Sequence, residues 1–148
     1  MASALYTTEI LRLATSVPLT GRLNDPQGQD ARRAPVCGSR ISVDVDVDAA
    51  GRIVRFAQSI TACALGQASA SLLGAEVIGR TPADIAQVAA DLARWLRDPQ
   101  AQMPDWPGMS VFEPARQHPG RHGAICLPFE AAAAAGQAAL SAQSLARP

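Results

Sequence analysis

The residues best suited to chemistry in this chain are its three cysteines, Cys37, Cys63 and Cys126. Thiolate sulfur is both a nucleophile and a soft metal ligand. The odd number of cysteines and the lack of a Cys-x-x-Cys pair argue against a disulfide framework. Reactive thiols or metal binding remain as functional interpretations, beside three buried and inert side chains. The intervals between the cysteines match no zinc-finger spacing, so only the fold could assemble a shared site.

Each cysteine lies where we expect the backbone to turn. Gly38 directly follows Cys37 and lets the chain bend, which exposes amide groups beside the sulfur. Cys63 and Cys126 are predicted at or just before a helix start, where unpaired amides and the helix dipole favour the thiolate. Two of the three thiols are therefore predicted to be activated in the same way, by the start of a helix.

Histidine and arginine residues precede the third cysteine in sequence. His118 and His122 could ligate a metal or hydrogen-bond to a thiolate, or lie in a surface loop, since neither falls in a ligand motif. A Cys-His hydrolase that uses Cys126 and His122 is a further hypothesis. Arg116 and Arg121 could lower the pKa of a nearby cysteine, or simply be exposed.

The clearest element that must position these residues is a strand. Apolar and polar residues alternate strictly from Ile41 to Asp48, which predicts a strand with one buried face. Its aspartates are interpreted as a solvent-exposed face rather than a carboxylate metal site. A hairpin turn at 48–51, with Gly51 in a left-handed conformation, leads to a return strand over 52–60.

Helices and loops account for the rest of a single domain, residues 1–148. Apolar periodicity predicts helices over 3–17, 63–77 and 81–98, and an Ala-rich helix is predicted to follow Pro128. Residues 20–35 and 99–125 are predicted as long loops, the second with a short strand near 109–112. Residues 143–148 are predicted to fray, and Trp95 and Trp106 are interpreted as packing residues.

Composition excludes several functions for this 148-residue chain of zero formal net charge. It contains arginine but no lysine, which excludes lysine imine chemistry. Without a basic excess, nucleic acid is not expected as a partner. No Gly-x-Ser-x-Gly motif supports a serine hydrolase. No apolar run approaches the roughly 18 residues that a membrane-spanning helix requires, and the N-terminus does not resemble a signal peptide. We therefore expect a cytoplasmic protein without a membrane partner.

Three segments together resemble a known family. They are 34–38 (Ala-Pro-Val-Cys-Gly) before the alternating strand, 51–53 (Gly-Arg-Ile), and 62–71 (Ala-Cys-Ala-Leu-Gly-Gln-Ala-Ser-Ala-Ser). The segments 5–6 and 126–131 resemble the two ends of the same family's sequences more loosely. The chain resembles the U-type iron-sulfur cluster assembly scaffolds, which comprise IscU, SufU and the N-terminal domain of NifU. The long interval between Cys63 and Cys126, with a capped helix inside it, is most similar to the SufU-like branch.

The resemblance implies an α+β fold, with a small, mostly antiparallel three-stranded sheet packed against about four helices. It also implies a scaffold or sulfur-transfer protein rather than a conventional enzyme. Such a protein takes persulfide sulfur from a cysteine desulfurase, with Cys37 or Cys126 as possible acceptor. It holds a transient 2Fe-2S cluster or zinc on Cys37, Cys63 and Cys126, and passes the product to cluster-accepting proteins.

One departure from the family leaves the fourth ligand open. The family usually has Asp two residues after the first cysteine, where this chain has Ser39, a neutral hydroxyl and a poorer ligand. Ser39, His122, water or a partner's side chain could complete the ligand set. The alternative is a degenerate, non-catalytic adaptor that binds a desulfurase or another partner without stable metal.

Overall fold

The fold is a three-stranded antiparallel sheet packed against helices, in a computed structural model that describes residues 5–146. The strands stand in the order β1-β2-β3. This arrangement confirms the α+β class and the antiparallel sheet. The elements described are β1 (Gly28–Arg33), β2 (Arg40–Val47), β3 (Ile53–Thr61), α1 (Thr8–Ala14), α2 (Ala64–Glu76), α3 (Pro82–Arg97) and α4 (His122–Ala146), with 3-10 helices at Met109–Gln117 and Pro119–Arg121.

The predicted alternating strand is β2, the centre of the sheet. Its four aliphatic side chains are buried beneath the helices and form the core face of the sheet. The predicted hairpin is also confirmed. The amide of Gly51, which has φ +81°, donates to the Asp48 carbonyl, and the Asp48 amide donates to the Arg52 carbonyl. The core-face residues of β2 are Ile41, Val43, Val45 and Val47.

Strand β1 lies inside the segment predicted as the loop 20–35. It pairs antiparallel with β2 from Gly28, opposite Val45, to Arg33, opposite Arg40. Its sequence has no apolar alternation, because Gly28 packs directly against the backbone of α4 and the last two residues are exposed arginines. The edge strand is therefore specified by its neighbours. The short strand predicted near 109–112 is instead part of a 3-10 helix.

The outer face of β2 is covered at Asp44 and Asp46 rather than solvated, which corrects the interpretation of these aspartates. The segment 19–27 crosses this face, and Arg22 donates to Asp44 through Nε at 2.8 Å and Nη2 at 3.0 Å. The amide of Leu23 donates to the same carboxylate, and the amide of Gln27 donates to Asp46. Asp44 is consequently fully buried. Sequence alternation identified the strand but not the segment that covers it.

Each of the first three helices begins directly after its N-cap residue. Helix α1 begins later than predicted because Thr7 caps it, accepting a hydrogen bond from the Ile10 amide at 3.1 Å. Residues 3–4 of the predicted helix lie outside the described residues. The predicted start of α3 is confirmed, with a capping box between Thr81 and Asp84. Helix α2 begins directly after Cys63, close to its predicted start.

Helix α4 begins at His122, six residues before the predicted start at Pro128. Pro128 lies inside the helix although it cannot donate a backbone hydrogen bond there. The turn before it is held by packing, because all four residues from Ala124 to Leu127 are buried. The predicted loop 99–125 is correspondingly shorter, and much of it is 3-10 helix.

Helix α4 is also the central helix of the core. Together with the preceding 3-10 turn it is long and apolar enough to span a membrane, contrary to the sequence-based expectation. However, 61% of its apolar window is buried within the fold, as in a core helix. The helix continues to Ala146, so the part of the predicted frayed tail that is described is helical, and residues 147–148 lie outside the described residues.

Candidate functional site

The three cysteine-bearing segments meet at one end of the molecule. A Cβ atom placed on Gly123, in the first turn of α4, would lie 3.6 Å from Cβ of Ala34, which precedes Cys37 by three residues. A Cβ atom placed on Gly66, in the first turn of α2, would lie 3.3 Å from the carbonyl oxygen of Ala124. Small residues therefore allow the turn before β2 and the starts of α2 and α4 to approach closely.

Cys37 is an exposed thiol in the turn that joins β1 to β2. Its Sγ lies 3.0 Å from the hydroxyl of Ser39. Partial burial acts to raise the pKa of Cys37, but hydrogen bonds from the Ser39 hydroxyl and from the amides of Ser39 and Cys37 outweigh it, together with the charge of Arg121. The resulting pKa lies below that of an ordinary thiol, so the thiolate is favoured.

The surroundings of Cys37 are open to solvent. The thiol lines a surface pocket of about 480 Å³ with Val36 and the residues 117–121, which include the short 3-10 turn before α4. The prediction that Arg121 could act on a nearby cysteine is supported by its charge acting on Cys37. The exposed position and the lowered pKa together make Cys37 a reactive thiol.

Cys63 is half-buried and occupies the N-cap position of α2, as predicted. Its backbone carbonyl accepts the hydrogen bond from the Gln67 amide at 3.0 Å. Its side chain makes no capping hydrogen bond to the helix. The sulfur thus stands at the positive end of a 13-residue helix without being used to cap it.

Cys126 does not lie at a helix start, which corrects the prediction. It is one turn inside α4 and buried, with 6% of its surface exposed. Burial, reinforced by the negative charge of Glu130 and only partly offset by Arg97, raises the pKa of Cys126 to about 12. The thiol is therefore protonated at neutral pH.

Ser39 and His122, the two residues of this chain considered for the fourth ligand position, are both engaged in hydrogen bonds. Ser39 is buried, and its carbonyl accepts from the Ala34 amide while its hydroxyl contacts Cys37. Nε2 of His122 lies 2.9 Å from the carbonyl oxygen of Ala115. Because a carbonyl only accepts, Nε2 carries the proton, which leaves Nδ1 of a neutral ring as an acceptor.

These positions do not by themselves form a metal site. Among residues 5–146, no group of three or more His, Cys, Asp or Glu side chains is placed to hold a metal ion. The Cys-His hydrolase hypothesis also receives no support, because Cys126 has a raised pKa and Nε2 of His122 is directed to a backbone carbonyl. The structure brings the cysteine-bearing segments together, and a common site on their side chains stays a prediction.

The structural role of Arg116 did not follow from the sequence. Arg116 donates to the carbonyls of Trp95 and Asp98, both at 2.8 Å, and its guanidinium stacks on the Trp95 ring.

Trp106 packs edge-on against Phe129 in α4, which confirms that the tryptophans are packing residues. The hydrogen bond of Ser39 to Cys37 could have been found from their two-residue spacing around Gly38.

Comparison with known proteins places this chain in a family. The family model described as the NifU-like N-terminal domain matches residues 5–106. No curated protein sequence matches the chain. The crystal structure of the N-terminal part of a nitrogen-fixing NifU-like protein from Brucella abortus is similar, with a TM-score of 0.85 and 29% identity. That similarity covers 93% of this chain and 95% of the Brucella chain.

A second similar structure extends the comparison of the fold. It is a protein from Fervidobacterium islandicum AW-1 proposed as an iron-sulfur cluster assembly scaffold of the SUF system. The TM-score is 0.77 at 16% identity, with 92% of this chain and 99% of that chain covered. At this identity the similarity concerns the fold alone. Since the family model covers more than half of the sequence, this chain belongs to the NifU-like N-terminal domain family.

Proposed function

We propose that this chain is an iron-sulfur cluster assembly scaffold that accepts sulfur from a cysteine desulfurase. The observation that carries the proposal is the meeting of the three cysteine-bearing segments at one end of the fold. Membership of the NifU-like N-terminal domain family and the similar fold of a SUF-system scaffold support it. The proposed ligands of the cluster, or of zinc in its place, are Cys37, Cys63 and Cys126.

Cys37 is the proposed sulfur acceptor, in preference to Cys126. Its thiolate would attack the outer sulfur of a persulfide on the desulfurase. The sulfur-sulfur bond of the donor breaks, the donor cysteine leaves as a thiolate, and Cys37 becomes the persulfide. Exposure and a lowered pKa suit Cys37 to this attack, whereas Cys126 is buried and protonated.

Binding of metal would change the ligands themselves. A thiol loses its proton when it ligates iron or zinc, and this costs free energy at Cys126 because burial raises its pKa to about 12. The side chains must also move closer together than they are in the described structure. Ser39, Nδ1 of His122, water or a side chain of a partner protein is proposed to fill the fourth position, and cluster-accepting proteins are the proposed recipients.

The test is metal analysis of anaerobically purified protein, followed by incubation with iron, cysteine and a desulfurase. We expect either stoichiometric zinc or a visible absorption band from thiolate bound to iron. Cys37→Ala, Cys63→Ala and Cys126→Ala should each abolish stable binding. Ser141→Ala, a change of similar size at an exposed position in the C-terminal half of α4, is the matched control and should bind normally. Full metal content in all three cysteine variants would place the site elsewhere.

A non-catalytic adaptor is the second candidate. It is favoured by the lack of a preassembled group of three ligand side chains among residues 5–146 and by Ser39 in place of an aspartate. Such an adaptor would bind a desulfurase or another partner without stable metal. If Ser39→Asp confers metal binding that the parent protein lacks, the adaptor is supported. If the parent already binds one metal per chain, the adaptor is excluded.

A further inference from the structure

A groove on the outer face of the sheet carries positive charge that nothing in the described fold balances. It has a volume of about 450 Å³ and lies at the end of the sheet nearest the β1-β2 turn. The outer-face side chains that line it come from all three strands, which lie in register here. We call this the basic groove, and its outer-face polar residues are Arg33, Arg40, Ser42, Ser59 and Thr61. Arg32 also lines it, but its charge is paired with that of Asp30.

Charges elsewhere on the same face are paired. Asp44 is bound by Arg22, and Asp46 lies 3.3 Å from a guanidinium nitrogen of Arg55. At the other end of the face, neither Arg33 nor Arg40 has a carboxylate within 4.0 Å among residues 5–146. The outer face is therefore electrically balanced at one end and positive at the other.

The two arginines also lie directly opposite one another. Arg33 of β1 is the register partner of Arg40 of β2. Like charges placed opposite each other on adjacent strands destabilise a sheet, so this pairing gives the isolated fold no benefit. A carboxylate supplied from outside would relieve the repulsion and accept hydrogen bonds from both guanidinium groups. The hydroxyls of Ser42, Ser59 and Thr61 lie beside them as further hydrogen-bond donors.

We propose that the basic groove docks an acidic segment of a partner protein. Arg33, Arg40, Ser59 and Thr61 are exposed, so the groove could not enclose a small anion as ligand pockets do. A chain segment instead gains from several weak contacts spread across the three strands. The few arginines here, in a chain of zero net charge, do not provide the extended basic surface that nucleic acid requires.

The basic groove adjoins the reactive thiol of Cys37. Arg33 and Arg40 are the two ends of the β1-β2 turn, which contains Cys37 and the exposed side chain of Val36. Val36 is 83% exposed and offers an apolar contact at the rim. A partner that places an acidic segment in the basic groove is thereby brought beside Cys37. This docking surface goes beyond the proposed scaffold activity and does not require metal to be bound.

The test uses two short synthetic peptides, one of alternating Glu and Thr and one with Gln replacing each Glu. Each is titrated into isotopically labelled protein at low ionic strength while amide chemical shifts are followed by nuclear magnetic resonance. We expect the Glu peptide alone to shift amides of β1, β2 and β3 around the groove. Added salt should weaken this binding.

Variants assign the binding to the two arginines. Arg33→Gln with Arg40→Gln should weaken binding of the Glu peptide about tenfold, and Arg40→Glu should abolish it. Arg94→Gln, an exposed arginine of α3, is the matched control and should leave affinity unchanged. Equal affinity in the double variant, or no binding of the Glu peptide, overturns the proposal. Inorganic phosphate that competes as well as the peptide does at equal charge would indicate a small-anion site and also overturns it.

Discussion

Two cysteines of this chain show how strongly local surroundings set the acidity of one side-chain type. Cys37 receives hydrogen bonds from Ser39 and from backbone amides in an exposed turn, and its pKa is lowered. Cys126 is buried one turn inside α4 beside Glu130, and its pKa is raised to about 12. The chain therefore presents one thiol that is ready to react and one that is protected until the fold or a ligand changes its surroundings.

The lowered pKa of Cys37 predicts a specific pH profile for its alkylation in metal-free protein. Because the thiolate reacts, the rate of carboxamidomethylation at Cys37 should reach half its maximum below about pH 8.5, the value for an ordinary thiol. Ser39→Ala and Arg121→Gln should each move this midpoint upward and slow the reaction at neutral pH several-fold. Peptide mass spectrometry can follow Cys37 separately from the other cysteines.

A control separates this effect from general loosening of the turn. Ser59→Ala removes an exposed hydroxyl from β3 and should leave the midpoint for Cys37 unchanged. If Ser39→Ala also leaves it unchanged, the hydroxyl does not stabilise the thiolate. The same measurement should leave Cys126 unmodified in the folded protein.

How much of the site the sequence could predict differs between its residues. The turn at Cys37 follows from Gly38, which has φ +73°, and the N-cap position of Cys63 follows from the periodicity of α2. The environment of Cys126 did not follow, because a proline normally marks the first turn of a helix. Pro128 is tolerated further inside α4 by burial of the turn before it, and no local pattern reports that burial.

At the scale of elements, the segment 19–27 is held against the sheet by the buried carboxylate of Asp44. Arg22→Met should destabilise the fold more than Asp44→Asn does. The first change leaves the Asp44 carboxylate buried with its charge uncompensated, whereas the second leaves a half-exposed arginine in contact with water. For Asp44→Asn we expect a loss of about 1 kcal/mol, since the amide still accepts from Leu23. Urea unfolding of both variants measures the difference.

The same ion pair has a predictable pH dependence. Burial alone would raise the pKa of Asp44, but hydrogen bonds and charge from Arg22, with the Leu23 amide, hold it below its usual value. A lowered pKa in the folded state contributes stability that is present above about pH 4 and is lost as pH falls through the folded-state pKa. This acid loss should be smaller in Asp44→Asn. Equal acid profiles in the two proteins would contradict the assignment.

The contact between β1 and α4 predicts an unusually harmful glycine substitution. A Cβ atom on Gly28 would overlap the carbonyl oxygen of Ala135 and the amide of Ala139, both backbone atoms that no rotamer change can move. Gly28→Ala should lower the free energy of unfolding by about 3 kcal/mol, the upper end for overpacking. Gly120→Ala, where nothing lies within 4 Å of the added methyl, should change it by less than about 0.5 kcal/mol. Chemical denaturation of both variants tests this difference.

Strands β1 and β2 show what apolar periodicity can and cannot predict. Strand β2 was predictable because its buried and outward positions alternate in sequence as they do in space. Strand β1 was not, since it holds a glycine against a helix backbone, an Asp30-Arg32 ion pair and an exposed alanine, none of them part of an apolar pattern. Segments that are ordered by what they pair with, rather than by their own burial, carry little local signal.

For the whole molecule, the composition allows the effect of the buried Cys126 thiol on stability to be measured at alkaline pH. The chain has no lysine and a single tyrosine, so few groups other than the three thiols titrate between pH 9 and 12. In the folded protein the pKa of Cys126 is raised to about 12, while in the unfolded chain it returns to about 8.5. Alkaline unfolding should therefore report chiefly on thiols, and on Cys126 above all.

The direction in which stability changes with pH follows from the linkage between protonation and folding. A pKa raised in the folded state contributes stability that is fully present below the unfolded-state pKa and is lost as pH rises towards the folded-state pKa. For Cys126 the loss should amount to about 2 kcal/mol between pH 8 and pH 10. Urea unfolding of metal-free, reduced protein should show this decline in the parent and a flatter profile in Cys126→Ala. Parallel profiles would mean that the Cys126 thiol is not sealed from water, and that metal binding at this cysteine does not require its environment to open.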